Sequence, residues 1–538
     1  MREAYDLPAM RPQLRFCFPM KFAVIALLAA TAVVVAAQGP SGTAALVVRT
    51  DGGLVRGAAG TVAGVRAFKG IPFAAPPVGD LRWRAPQPAA AWKGTLDATQ
   101  FSAICPQHLH TPGSISYFYP GPQTISEDCL YLNVWTPARS AGDKLPVMVW
   151  IFGGGFDHGS AMEKYYWGDD LAHKGAVVVT FNYRVGALGF LALPELTKES
   201  GHGASGNYGL MDQIAALQWV QRNIAAFGGD PGNVTIFGQS AGAASDSALL
   251  VSPLAKGLFV RGIAESGGFG APLRKLADAE TAGVAYSKAV GATNLADLRK
   301  LTPDQLMAGP PVGGPIVDGY LIPDDPAAVY RAHKQNDVGI IIGSTANEAG
   351  LSKITVTAAA AQANAQKNYG ADAAAYLALY PADTDAQAIA SAYQVAAERT
   401  AANERAFARA HNASGNTPVY LYRWDHAPPV PADANFVEGP NSQFGAYHAS
   451  ELLYVFDDLH LRDWPWTDVD RRLADQISQY WFNFAATGNP NGAGLPVWPA
   501  FDAQHQVLMN FADAPEAIPV PRAAALDFLD AHPAPPRR

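Results

Sequence analysis

Ser240 lies between two glycines in the stretch GQSAG, residues 238–242. The stretch NVTIF at 233–237 is short, β-branched and apolar, which predicts a buried strand. The stretch after the serine, 241–252, predicts a helix that ends before Pro253. Ser240 is therefore predicted on a sharp strand-to-helix turn, where a side chain at either glycine would collide with the packed strand and helix. Glycines leave the serine hydroxyl exposed as a candidate nucleophile.

Three consecutive glycines, Gly153, Gly154 and Gly155, follow an apolar stretch at 147–152 that predicts another buried strand. Glycines let backbone N–H groups approach a substrate oxygen without obstruction from side chains. Taken alone, the triplet is more typical of a flexible turn. Beside a serine elbow it favours an oxyanion hole, and the two features together indicate acyl-transfer chemistry.

The elements around these residues follow the order of a doubly wound α/β sheet. An apolar strand at 176–183 is joined to the strand before Ser240 by a segment, 209–228, whose apolar residues have helical spacing. Apolar stretches at 338–344 and 418–424 predict two more strands. Strand, helix, strand, turn and helix in this order predict a mostly parallel sheet flanked by helices.

Residues 1–37 are predicted to form an N-terminal extension and a signal peptide. An uncharged apolar run of 16 residues ends in small residues suited to cleavage between Ala37 and Gln38. A membrane anchor is the alternative, but this run is short for a span of about 20 residues. We expect a secreted or periplasmic protein with no stable membrane anchor after cleavage.

Charge and cysteine content narrow the function classes. The net charge is −8 and 16% of the residues are charged, so nothing indicates nucleic acid as a partner.

Cys105 and Cys129 remain after the leader is removed, and in an oxidising compartment they favour a disulfide. Two buried free thiols are the alternative that spacing leaves open.

Several long motifs resemble those of the type B carboxylesterase family, which includes the cholinesterases. They are SEDCLYLNVWTP at 126–137, FGGGF at 152–156 and FGQSAGAAS at 237–245. The resemblance covers essentially the whole chain after residue 37, and is weak between 350 and 415. It implies an α/β-hydrolase fold over 38–538, and the alanine-rich stretches predict a helical lid or side subdomain around 351–415.

The resemblance also implies a catalytic triad in the chain order serine, glutamate, histidine. Glu348, in TANEAGLS, matches the family's acid, and His448, in FGAYHASELLYVF, matches its base. Taken alone, Glu348 is more typical of a solvated loop charge. His158, close to the glycine triplet in the sequence, is the alternative base.

Further residues match family positions of known role. The oxyanion hole would consist of the N–H groups of Gly154, Gly155 and Ala241. Ser266 matches a serine behind the triad, with an ordinary turn or helix cap as the alternative. By the same resemblance, Cys105 and Cys129 match the family's first disulfide.

Two positions depart from the family pattern. Gln239 stands where the family usually has glutamate, and Phe152 stands where it often has histidine. The tryptophan that cholinesterases carry upstream of EDCLYLN has no equivalent here, although Tyr117 and Tyr119 fall nearby. These departures affect the predicted substrate preference. We do not expect a specificity for acetylcholine-type substrates.

The sequence therefore predicts an exported serine carboxylesterase that hydrolyses small-molecule carboxylic esters through an acyl-enzyme on Ser240. No metal or organic cofactor is implied. The rival class is a catalytically inactive, cholinesterase-like binding protein, which typically lacks the nucleophile. Lipase, thioesterase or amidase action on the same triad stays open, because the fold does not set the leaving group.

Gln239 leads to a prediction about cationic substrates. A glutamate beside the nucleophile would attract cations and support a protonated His448, whereas an amide adds no charge. Butyrylcholine and 3,3-dimethylbutyl butyrate, which have nearly the same shape, should therefore have kcat/KM values within about tenfold of each other. Gln239→Glu should shift the ratio towards butyrylcholine. An unshifted ratio would place residue 239 away from the substrate.

Overall fold

The computed structural model describes residues 46–121, 123–268, 272–440 and 443–533. The predicted signal peptide and its cleavage site between Ala37 and Gln38 lie outside these ranges. Within them the strands are, in chain order, β1 Val47–Arg49, β2 Leu54–Arg56, β3 Ala58–Ala59, β4 Arg66–Pro72, β5 Thr95–Asp97, β6 Tyr131–Thr136, β7 Leu145–Ile151, β8 Val177–Phe181, β9 Gly229–Gln239, β10 Arg261–Glu265, β11 Arg274–Lys275, β12 Ile316–Val317, β13 Gly339–Thr345, β14 Val419–Trp424, β15 Val507–Phe511 and β16 Glu516–Pro519.

The α-helices of the same ranges alternate with the strands in the central part of the chain. They are α1 Asp169–His173, α2 Gly186–Phe190, α3 Pro194–Glu199, α4 Tyr208–Asn223, α5 Ala241–Val251, α6 Leu276–Ala289, α7 Leu295–Lys300, α8 Pro303–Met307, α9 Pro326–Arg331, α10 Ala358–Tyr369, α11 Ala373–Leu379, α12 Asp385–Ser414, α13 Leu452–Val455, α14 Asp468–Thr487 and α15 Ala523–Ala531.

One large sheet organises the molecule. Its eleven strands, counted in the described ranges, have the order β16-β15-β14-β13-β10-β9-β7-β8-β6-β4-β3. The run from β15 to β8 pairs in parallel, while β6, β4 and β16 pair antiparallel at the two sides. The predicted fold class, a mostly parallel sheet flanked by helices, is confirmed.

The central strands are buried along their length, which explains their continuous apolar sequences. Every residue of β8 and β13 is buried, and so are the last five residues of β7. A parallel sheet covered by helices on both faces requires this pattern, because neither face of a strand meets water. The carboxyl ends of β9, β10 and β13 therefore open together at one edge of the sheet, where Ser240, Ser266 and Glu348 follow them in sequence.

The predicted elements are present with boundaries that differ from the predicted ones by one or two residues at most of them, and by more at two elements. The strand predicted at 233–237 begins earlier, because Gly229 pairs with Leu145 at the start of β7. The helix predicted at 209–228 is α4 followed by a 3₁₀ turn, and it ends at Gly228, whose φ of 84° is the left-handed conformation that terminates helices.

The segment predicted as a lid or side subdomain, 351–415, contains α10, α11 and α12. The last of these is a helix of 30 residues that begins with a capping box between Thr384 and Gln387. It packs against β13 and β14 of the main sheet and against α15. Within the described ranges, no helix is both long enough and apolar enough to cross a bilayer.

Cys105 and Cys129 form a disulfide, as predicted, with their Cα atoms 5.1 Å apart. Next to it, the Gln107 amide donates to the Gly159 carbonyl at 2.8 Å and accepts from the Gly159 N–H at 2.7 Å. The crosslink therefore fixes a loop that is anchored beside the glycine triplet.

The double variant Cys105→Ser, Cys129→Ser should lose about 3 kcal/mol of unfolding free energy, because a closed loop of this length no longer restricts the unfolded chain. Urea unfolding followed by circular dichroism measures the loss, with wild-type protein unfolded under reducing conditions as the control. Equal midpoints for oxidised wild type and the double variant would contradict a stabilising crosslink.

Candidate active site

Ser240 occupies a strained turn between β9 and α5. Its backbone has φ 57° and ψ −118°, a conformation that L-residues rarely adopt. A Cβ built on Gly242 would lie 1.9 Å from the Ile151 carbonyl oxygen, and one on Gly238 would lie 2.7 Å from the same atom. The glycines thus allow β9 and α5 to approach β7 closely, for the reason expected from the sequence.

The turn is held on its other side by the end of β10. The Ser240 N–H donates to the Glu265 carbonyl at 2.7 Å. A Cβ on Gly267 would lie 2.4 Å from the Ser240 carbonyl oxygen, so this position also requires glycine. The serine backbone is therefore clamped between two neighbouring strands, which keeps its hydroxyl at the carboxyl edge of the sheet.

Glu348 lies just beyond β13 and is held by three donors. Its Oε1 accepts from the Thr345 N–H and from the Ser266 hydroxyl, each at 2.7 Å. Its Oε2 accepts a hydrogen bond from Nδ1 of His448. Residues 100 positions apart in sequence are thereby joined, and Ser266 is placed behind the pair.

Burial alone would raise the pKa of the Glu348 carboxyl, but the imidazole of His448 and the two other donors outweigh it and lower that pKa below 4.5. Burial alone would lower the pKa of His448, but the facing carboxylate outweighs it and raises that pKa above 6.5. The two shifts have the same origin, an ion pair that forms when His448 takes up a proton.

The Nε2 atom of His448 lies 3.0 Å from the amide nitrogen of Gln239, which is buried. The amide donates to this nitrogen when the ring is neutral and its Nδ1–H points to Glu348. Among the described residues, no hydrogen bond joins Nε2 to Ser240 Oγ. Gln239 thus lies at the ring nitrogen that Ser240, the next residue in the sequence, would need if it were the nucleophile.

The glycine triplet follows β7 and faces the same edge. Gly154 has φ 103°, and a Cβ on it would lie 2.3 Å from the His158 carbonyl oxygen, so no side chain fits there. The N–H groups of Gly154, Gly155 and Ala241 donate no hydrogen bond to any described residue. Free N–H groups at the first turn of α5 and in a glycine loop can stabilise an oxyanion.

The remaining residues singled out by the sequence have structural partners. Phe152 is buried and stacks on Tyr183, with ring centroids 4.2 Å apart. The alternative base, His158, pairs with Asp157 and packs edge-on against His110. Tyr119 is buried and donates to Glu163 at 3.3 Å, with Tyr117 in an edge-on contact.

A cavity of about 150 Å³ adjoins Ser240, and some of the residues that line it were not among the candidates from the sequence. Its wall on α12 consists of Thr400, Asn403 and Glu404. Their spacing of three and four positions places them on one face of the helix. Three polar residues on one face of an alanine-rich helix were the sequence signal that could have indicated a binding site here. The weak family resemblance in this segment offered no position to match.

One group in the described ranges has side chains at metal-ligand spacing. Asp170, Asp458 and His460 bring ligand atoms within 4.8 Å of one another. None of the three belongs to the Ser240, Glu348 and His448 set.

Comparison with known proteins decides the family. Residues 44–529 match the model of the carboxylesterase family. The chain belongs to the carboxylesterase family. It is 37% identical over 503 residues to the fumonisin B1 esterase of Sphingopyxis macrogoltabida, a match covering 90% of this chain and 89% of that protein.

Two further relatives are similar at nearly the same level. The human cocaine esterase is 36% identical, with 84% of each chain covered. The para-nitrobenzyl esterase of Bacillus subtilis strain 168 is 36% identical, with 85% of this chain and 92% of that one covered. As a carboxylesterase, the protein hydrolyses carboxylic esters, and the family predicted from the motifs is confirmed.

The Glu348–His448 pair predicts the pH dependence of hydrolysis. A histidine acts as a base only when neutral, and its pKa is raised here, so kcat/KM should rise with pH through a midpoint above 6.5. Glu348→Gln should lower that midpoint, because the carboxylate that favours the imidazolium is gone, and should reduce kcat by about 10²–10⁴. Initial rates of hydrolysis, measured between pH 5 and 9, give both the midpoint of kcat/KM and the value of kcat.

Gln239→Glu is the complementary variant, because a carboxylate at the Nε2 side should move the midpoint further up. A flat profile of the stable wild-type enzyme across this range would contradict a histidine base.

Proposed function

We propose that this chain is an exported serine carboxylesterase that forms an acyl-enzyme on Ser240, with His448 as base and Glu348 as the acid that orients it. The observation that supports this most directly is the combination of a strained serine elbow with a histidine paired to a buried, hydrogen-bonded glutamate. An ordinary structural serine needs neither.

In the first step, Ser240 Oγ attacks the ester carbonyl while Nε2 of His448 takes its proton. The amide nitrogen of Gln239 lies 3.0 Å from this Nε2 atom. The amide must therefore move away before the Ser240 hydroxyl can form a hydrogen bond to Nε2. Glu348 then stabilises the imidazolium through Nδ1, as the raised pKa of His448 indicates. The ester oxygen of the alcohol leaves with the proton that Nε2 carries.

The negative charge on the former carbonyl oxygen would be stabilised by the N–H groups of Gly154, Gly155 and Ala241. They are supported as donors because no described residue accepts from them and because glycine leaves the approach open. Water activated by the same histidine would then hydrolyse the acyl-enzyme. Each step uses only groups of this chain and water.

Export is supported by two features, the predicted signal segment at 1–37 and the disulfide between Cys105 and Cys129. Helices α10 to α12 in segment 351–415 are proposed as the side subdomain of a single hydrolase unit that spans 38–538. The contribution of α12 to the cavity beside Ser240 supports this arrangement.

Ser240→Ala should fold normally and lose at least about 10⁴ of kcat on p-nitrophenyl acetate, because no other group can form the acyl-enzyme. Ser252→Ala is the matched control, since Ser252 is buried at the end of α5 and its hydroxyl has no described hydrogen-bond partner. The control should retain its activity and its labelling by a fluorophosphonate probe.

A Ser240→Ala variant with a tenth of the wild-type rate would contradict the nucleophile assignment. Wild-type protein that neither reacts with the probe nor hydrolyses esters would favour the inactive binding protein. A panel of acetyl esters, long-chain lipids, thioesters and anilides, assayed at equal concentration, then separates carboxylesterase action from lipase, thioesterase and amidase action.

A further inference from the structure

Glu404 is a buried carboxyl that lines the cavity adjoining Ser240 and forms no ion pair with any residue that the structure describes. Its side chain is 1% exposed, and its Oε1 accepts from the Gly268 N–H at 2.8 Å. Its Oε2 is buried and has no hydrogen-bond partner among the described residues. A buried polar atom without a partner carries a cost in free energy, and this one belongs to a side chain that lines the cavity adjoining Ser240.

The cavity lies on the acyl side of the scissile bond. The leaving alcohol must depart next to Nε2 of His448, because that atom supplies its proton. The described residues that line the cavity include Ser240, Ala241 and Gly155 but not His448. Since the carbonyl oxygen points to the oxyanion donors and the alcohol to the histidine, the acyl chain is the part that enters this cavity.

The carboxyl of Glu404 is held close to the nucleophile through two glycines. Gly267 packs against the Ser240 carbonyl, and Gly268 packs against Glu404, because a Cβ on it would lie 2.5 Å from Oε2. Burial, with Glu348 nearby, raises the pKa of Glu404 well above its usual value, against the opposing effect of the Gly268 and Gly267 N–H groups. A protonated carboxyl has an O–H to donate.

Resting on the proposed function of Ser240, we propose that Glu404 determines acyl specificity by donating a hydrogen bond from Oε2 to an oxygen carried by the acyl chain. The favoured substrates are esters of short oxygen-bearing acids, such as oxo acids, in place of plain alkanoic acids. A volume of about 150 Å³ suits this class, because a cavity of that size accommodates a group about as large as benzene.

The neighbouring polar residues support the same class of acyl group. Thr400 and Asn403 line the cavity on the same face of α12, and the Asn403 side chain has no hydrogen-bond partner among the described residues. A subsite for plain alkyl chains would have apolar side chains at these positions. Gly155 also lines a second cavity, of about 340 Å³, but the described residues that line that cavity do not include Ser240.

The test compares two esters with the same leaving group, p-nitrophenyl 4-oxopentanoate and p-nitrophenyl 4-methylpentanoate, which differ at C4, where a ketone oxygen in the first replaces a methyl group and a hydrogen of the second. The measured quantity is the ratio of their kcat/KM values, oxo ester over methyl ester. Glu404→Met should lower this ratio about five- to tenfold, the effect of losing one neutral hydrogen bond. Glu404→Gln, whose amide still donates, should keep it within about threefold.

Two further variants complete the experiment. Gly268→Ala places a Cβ 2.5 Å from Oε2 and should lower the ratio of kcat/KM values even with Glu404 present. This variant therefore tests the proposal independently if Glu404→Met does not fold. Glu398→Gln is the matched control, since Glu398 is the other buried glutamate of α12, pairs with Arg522 and does not line this cavity. Its ratio should equal that of the wild type.

The outcomes separate the two proposals. If wild-type enzyme hydrolyses neither ester, or if Ser240→Ala hydrolyses both, the proposed function fails. If wild type hydrolyses both, and the folded Glu404→Met and Gly268→Ala variants leave the ratio unchanged, the acyl chain does not meet Glu404 and the inference is overturned. A ratio that rises in Glu404→Met would also overturn it, because it would show a carboxylate repelling the acyl oxygen.

Discussion

The close approach of three backbone segments at Ser240 is the constraint on which the site depends. Gly242 touches the end of β7 through the Ile151 carbonyl, and Gly267, beyond β10, touches the serine carbonyl. The left-handed φ of Ser240 persists because these contacts leave the chain no relaxed path from strand to helix. The strain is offset by the buried sheet on either side, and it keeps the hydroxyl at the edge where the proposed base and the proposed oxyanion donors lie.

The buried carboxylates of this region differ in protonation according to the donors around them. Glu348 receives an N–H, a hydroxyl and an imidazole, and its pKa falls. Neither side-chain oxygen of Glu451 has a described hydrogen-bond partner, and burial together with Glu265 raises its pKa well above 4.5. Burial likewise raises the pKa of Glu265 to about 8, against a hydrogen bond from Trp481. Hydrogen-bond supply thus selects Glu348 to carry the charge opposite His448.

Gln239 gives this site a neutral group where the family usually has an acid. Its amide donates to Nε2 of His448 and so favours the neutral ring, while Glu348 on the other side favours the imidazolium. His448 therefore lies between a donor and a carboxylate, and in the proposed mechanism this balance changes when the serine hydroxyl replaces the amide. The proposed mechanism thereby links substrate binding to activation of Ser240 through a single ring nitrogen.

The sequence alone was sufficient for the fold class, the central strands, the family and the candidate nucleophile Ser240, because buried strands, turn glycines and long motifs are local signals. It named Glu348, His448 and the disulfide only by resemblance, since residues so far apart in sequence meet only when the chain folds. Tertiary structure alone placed the Gln239 amide beside His448 and brought α12 to the cavity that adjoins Ser240. Glu404 escaped the sequence analysis for the same reason, since burial and a missing hydrogen-bond partner arise only when separate segments pack together.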